Sequence, residues 1–116
     1  MAAVWADDDR VRCIHPGWEL VAGRARVLRS WKLIFDHTTT IRFDVADLAI
    51  EVIGARRVWL TAIENIRTSE SVAAPATQAV ATHLFERDDE GRWRMLLHHA
   101  SPVMNRGFSE IVGDME

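Results

Sequence analysis

The sequence predicts an α+β domain in which one amphipathic helix covers a face of an antiparallel sheet of long strands. Three observations predict it. Apolar residues recur at helical spacing over 24–36, the period then drops to two, and the alternating stretches are joined by short connections.

In the helix, Val27, Leu28, Trp31, Ile34 and Phe35 fall on one stripe, while Arg24, Arg26, Arg29 and Lys32 stay largely off it. The basic residues near its N-terminus oppose the helix dipole and read as solvated surface. Beyond it, Ile41, Phe43 and Val45 alternate with Thr40, Arg42 and Asp44, after which Leu48, Ile50 and Val52 take the even positions. That change of phase predicts a bulge or bend near Ala46. Gly54 to Arg57 reads as a turn, 58–67 as a strand rich in β-branched and aromatic residues, and 68–75 as a loop. Strands over 76–87 and 92–101 are joined by Asp88-Asp89-Glu90-Gly91, whose acidic residues and glycine suit a tight turn.

Length and composition narrow the class. A chain of 116 residues fits one domain, here 1–116 with a core over about 5–102 and a tail or short helix over 103–116. Its 48% apolar and 27% charged residues are ordinary for a globular protein and exclude disordered and fibrous classes. A net charge of −3 offers phosphate backbones no broad attraction, so no nucleic-acid partner is expected. The single cysteine, Cys13, excludes an internal disulfide framework and a four-cysteine zinc site, which favours a reducing, cytoplasmic setting. No apolar run approaches the roughly 18 residues of a membrane helix, and no leader pattern opens the chain. Serine-hydrolase, phosphate-loop and dinucleotide fingerprints are absent.

Three stretches stand together in order: Cys13-Ile14-His15-Pro16-Gly17-Trp18; Gly23-Arg24 leading to Ser30-Trp31; and Thr82-His83-Leu84-Phe85 running through Gly91-Arg92-Trp93 to His98-His99-Ala100-Ser101-Pro102. In this spacing they resemble SnoaL-like proteins of the nuclear transport factor 2-like superfamily, over nearly the whole chain from Trp5 to Pro102. The last stretch is also similar to the end of the association domain of calcium/calmodulin-dependent protein kinase II, with His99 and Ser101 at its matching His and Ser. The resemblance implies a cone-shaped, curved antiparallel β-sheet packed against helices, the nuclear transport factor 2-like or cystatin-like fold, open at one end to a pocket. Such proteins include isomerases, dehydratases, epoxide hydrolases and cyclases beside non-catalytic modules, so fold alone does not choose a function. Family members usually carry a long amphipathic helix before the segment matching Trp5 to Asp8. Here only a few residues precede it, so the cone lacks most of its first helix. The tail is one candidate cover, with Met104, Phe108, Ile111, Val112 and Met115 at helix-like spacing; a partner subunit is the other.

Candidate chemistry follows from strand parity. Successive strand side chains point to opposite faces, so the adjacent His98 and His99 cannot ligate one ion, and no metal or cofactor is expected. Parity groups His99 with Trp93, Met95, Leu97 and Ser101, the more apolar set. This assigns His99 to the pocket and His98 to the outer or dimer-facing side. Cys13 and His15 share a face; Cys13 reads as a small core residue, and His15 sits where Pro16-Gly17 ends a strand, either bracing the turn or meeting a ligand. Glu64 has Leu60, Ala62 and Ile66 as same-face neighbours, a setting in which burial would raise its pKa, unless Arg42 or Arg94 pairs with it. Arg42 and Asp44 resemble the pairing of limonene epoxide hydrolase, but alternating charges more often mark a solvated face. The absence of tyrosine argues against ketosteroid-isomerase chemistry.

Together these readings point to a small-molecule-binding protein, whose status as an enzyme the residues leave open. As an enzyme it would act as a cofactor-free isomerase, dehydratase or cyclase on an apolar organic ligand. His15, Glu64 and His99 are the acid–base candidates, Trp18, Trp31 and Ser101 the ligand-binding ones, and a homodimer is the expected assembly. The alternative is a non-enzymatic ligand-binding or oligomerisation module of the same fold.

Overall fold

The computed structural model describes residues 1–38, 40–68 and 77–104. Short strands β1 (Arg12–Ile14) and β2 (Val21–Ala22) precede helix α1 (Arg24–Asp36). Four long strands follow: β3 (Arg42–Gly54), β4 (Arg57–Arg67), β5 (Thr77–Arg87) and β6 (Trp93–Pro102). The helix and the four long strands lie within a residue or two of where periodicity places them. The expected loop over 68–75 lies outside the described residues except for Thr68, as does the tail beyond Met104.

All strands join one six-stranded sheet in the order β2-β1-β6-β5-β4-β3. Strands β3 to β6 form antiparallel pairs, as expected of consecutive strands with short connections. At the other side β1 pairs parallel to β6, through Cys13 opposite His98, so the sheet is mixed. The phase change in β3 is a bulge: the register with β4 shifts between Ala46 and Ala49, and Asp47 takes a positive φ of 51°. An extra residue there lets both apolar sets, Phe43 and Val45 before it and Ile50 and Val52 after it, share the face of Glu64 and Leu60.

The core lies where α1 and the N-terminal segment cross β1 and β6. Trp5, Val11, Cys13, Val27, Trp31, Met95 and Leu96 are buried there. From α1 the buried residues are Val27, Ser30 and Trp31; Leu33 is exposed, and Phe35 stacks on Trp31 yet stays 39% exposed near the helix's C-terminal end. At the sheet's opposite side the same concave surface is bare. Val45, Leu48, Ile50 and Val52 are all exposed, and no helix of the described residues packs over them. The described residues form an α+β cone with one helix.

Candidate functional site

Local sequence chemistry builds one wall of the site. His15-Pro16-Gly17-Trp18 closes a turn in which the Trp18 N–H donates to the His15 carbonyl at 2.9 Å, with Gly17 at φ 82°. Proline second and a left-handed glycine third are what a type II turn requires. The turn brings the His15 and Trp18 rings edge to face, centroids 4.6 Å apart. From α1, Trp31 meets His15 at the same centroid distance, and Ser30 Oγ lies 2.8 Å from His15 Nε2. Since the Ser30 hydroxyl donates to the Val27 carbonyl, its oxygen accepts from the His15 Nε2–H, leaving Nδ1 as the lone-pair nitrogen. Burial, aided by the nearby His98, pushes the His15 imidazole down to about 4, so it is neutral at physiological pH.

The floor comes from three neighbouring strands. Glu64 on β4, His83 on β5 and His98 on β6 turn to the concave side, His83 directly opposite His98 with ring centroids 4.5 Å apart. His98 Nε2 lies 3.7 Å from Glu64 Oε1, its Nδ1 lies 3.8 Å from Cys13 Sγ, and Trp31 stacks on its ring. The Glu64 carboxyl is held below the usual carboxylate range because its pairing with His98 outweighs burial. The sequence-based expectation of a raised pKa is therefore overturned. Arg42 pairs instead with Asp44 on the exposed edge strand, and Arg94 with Asp88. Burial pushes the Cys13 thiol up to about 12, which keeps it protonated and unreactive.

The two adjacent histidines do occupy opposite faces, but in the reverse of the expected sense. His98 is 3% exposed and inward, whereas His99 and Ser101 are exposed on the outer side, pairing across to Thr82 and Val80. The reason is a second bulge: Phe85 pairs Met95 and Leu84 pairs Leu97, leaving Leu96 as an extra residue. Counting by twos from Met95 therefore fails at Leu96, and the inward series resumes as His98 and Ala100. His83 was missed as a site residue; its alternation with Phe85 along one strand was the signal in the sequence, and its place opposite His98 came from strand pairing.

A cavity of about 230 Å³ joins the wall to the floor, lined among others by His15, Trp18, Trp31, Phe43, Glu64 and His98. A second hollow of about 170 Å³ reaches His83 and Met95 beside the same Glu64 and His98. Ile34, Ile41 and Ile66 complete an apolar lining, and among the described residues no lysine or arginine lines either space. A larger solvent-open groove elsewhere is lined mainly by charged groups that pair among themselves, Arg10 with Glu86, Arg56 with Asp89 and Arg94 with Asp88.

An α+β cone, with one helix among its described residues and imidazoles and a carboxylate gathered on its concave face, is a protein of the nuclear transport factor 2-like class. Residues 1–105 match the SnoaL-like domain model, and the chain belongs to that family. Among solved structures it is similar to a candidate dehydratase of the NTF2-like family from Streptomyces avermitilis, at 34% identity and TM-score 0.79, over 90% of this chain and 80% of that one. It is equally similar in fold to a candidate calcium/calmodulin-dependent protein kinase type II association domain from Thiobacillus denitrificans, at 36% identity and TM-score 0.79, with the same coverage of 90% and 80%. A curated relative, F-box protein SKIP8 of Arabidopsis thaliana, is 29% identical over 104 residues; these cover 90% of this chain and 42% of that protein's length.

Proposed function

We propose that the protein binds a flat, apolar organic molecule in the aromatic-lined cavity and exchanges a proton with it, as a cofactor-free isomerase, dehydratase or cyclase. The observation that carries this reading is the meeting of Glu64, His98 and His15, from three separate segments, at one apolar cavity of about 230 Å³. Trp18, Trp31 and Phe43 offer ring faces to a planar guest. The anionic Glu64 and the imidazole of His98, 3.7 Å apart, form an acid–base pair in which one group accepts a ligand proton while the other returns one. Neutral His15, its Nε2–H committed to Ser30, presents a lone pair to a ligand hydroxyl. His98 takes the role first assigned to His99, and the exposed Ser101 drops out of the cavity lining. The similarity to the candidate dehydratase from Streptomyces avermitilis supports this class of reaction.

The test is a screen of cyclic ketones and hydroxy-ketones, with binding followed by tryptophan fluorescence. His98→Ala and Glu64→Gln are expected to lower turnover at least 100-fold, and Trp18→Ala to weaken binding while leaving the proton-transfer groups intact. Unchanged turnover and affinity in the first two variants would dispose of the assignment.

The exposed apolar series Val45, Leu48, Ile50 and Val52 favours a homodimer, in which a second copy covers the bare concave edge. A non-catalytic binding or oligomerisation module is the second reading, favoured by the 36% identity to the candidate kinase association domain. No helix of the described residues is long and apolar enough to cross a membrane. A cytoplasmic location suits a chain whose cysteine is a buried free thiol.

A further inference from the structure

We propose that Glu64, His83 and His98 form a binding site for a divalent transition-metal ion of the zinc type, open to the cavity on its fourth side. Their ligand atoms all lie within 4.8 Å of one another. Two bonds of about 2.0 to 2.1 Å at a tetrahedral angle put ligand atoms roughly 3.4 Å apart, so small side-chain rotations bring the three atoms to bonding distance of one ion. The 3.7 Å between His98 Nε2 and Glu64 Oε1 is already close to that span, and it is longer than a hydrogen bond.

Two imidazoles and one carboxylate suit zinc and its neighbours in the first transition row, and the donor set is too nitrogen-rich for calcium or magnesium. Three hydrogen-bonded strands carry the ligands, a more rigid mounting than loops provide. The second layer also fits. His98 Nδ1 faces the Cys13 thiol at 3.8 Å while Nε2 faces Glu64, so the nitrogen turned toward the cluster is the one free to ligate. Trp31 stacks on the His98 ring, with centroids 5.4 Å apart, and limits its rotation. No lysine or arginine among the described residues lines the hollow to repel a cation. Parity excludes an ion shared by His98 and His99, but it does not touch this set, whose members sit on different strands. An ion here would occupy the gap between Glu64 Oε1 and His98 Nε2, so it would take up the same atoms that the proton-transfer reading uses.

The experiment uses untagged, chelator-treated full chain carrying His37→Ala and His99→Ala, which removes two exposed imidazoles. Zinc chloride titrated calorimetrically is expected to bind with one-to-one stoichiometry. Glu64→Gln, His83→Ala and His98→Ala in that background are each expected to weaken binding at least 100-fold, with folding checked by circular dichroism. Cobalt(II) provides a second readout that does not depend on the alanine variants. The parent should give visible bands of a four- or five-coordinate nitrogen–oxygen site, and the near-isosteric Glu64→Gln should lose them. No saturable zinc site in the parent, or the same affinity and bands in Glu64→Gln, overturns the proposal. Neither readout uses turnover, so the metal site and the proton-transfer reading stand or fall separately.

Discussion

Gly17 shows how a single residue places the rings that line the cavity. Its φ of 82° is left-handed, and a Cβ built there meets nothing within 4 Å, so the cost of a side chain is purely conformational. Gly17→Ala is expected to lose about 1 to 2 kcal/mol in urea denaturation and to weaken ligand binding, because the same turn aims His15 and Trp18. His15 has a folded pKa of about 4, below the unfolded value of about 6.5, so folding favours its neutral form. The stability this contributes is present above pH 6.5 and is lost as the pH falls from there to about 4. Cys13 and Ser30 contact the ring and His98 faces it across the cavity, where His83 and Glu64 also titrate. The prediction is therefore comparative. Denaturation midpoints of His15→Gln, measured with chelator present, should fall less steeply than those of the wild type between pH 6.5 and 4.

At the scale of elements, the two bulges decide which residues face the cavity. The β3 bulge was legible because it leaves apolar residues on both sides of a phase change, Phe43 and Val45 and then Ile50 and Val52. The β6 bulge was not, because Met95, Leu96 and Leu97 are all apolar and the extra residue leaves no mark on the pattern. Diethyl pyrocarbonate should accordingly modify His99 in the native protein and spare His98, with mass spectrometry of peptides as the readout; rapid native modification of His98 would contradict the placement. On α1, Trp31 is 6% exposed and touches His15, His98 and Phe35 at once. Trp31→Ala should destabilise the fold by about 3 to 5 kcal/mol in chemical denaturation and abolish binding of aromatic probes, since it opens the core and removes a cavity wall together.

Across the whole molecule, the core and the bare concave edge lie on the same curved sheet. Helix α1 covers the β1–β6 side, while the far side exposes Val45, Leu48, Ile50 and Val52 on a long edge strand. Isolated in water, such an edge invites association. Ile50→Lys is expected to shift sedimentation from dimer toward monomer with little loss of secondary structure by circular dichroism; an unchanged sedimentation coefficient would argue against a second copy at this surface.

Periodicity determined the helix, the four long strands and the acidic turn at Asp88, because those features are local and recur every two or three to four residues. It also set His98 and His99 on opposite faces. Which of them turns inward depended on one extra residue hidden in an apolar run, and the lowered Glu64 pKa depended on an imidazole from a strand two removed in the sheet. Only the tertiary structure decided those, since a registry shift and an electrostatic partner are properties of strand pairing rather than of either strand's own sequence.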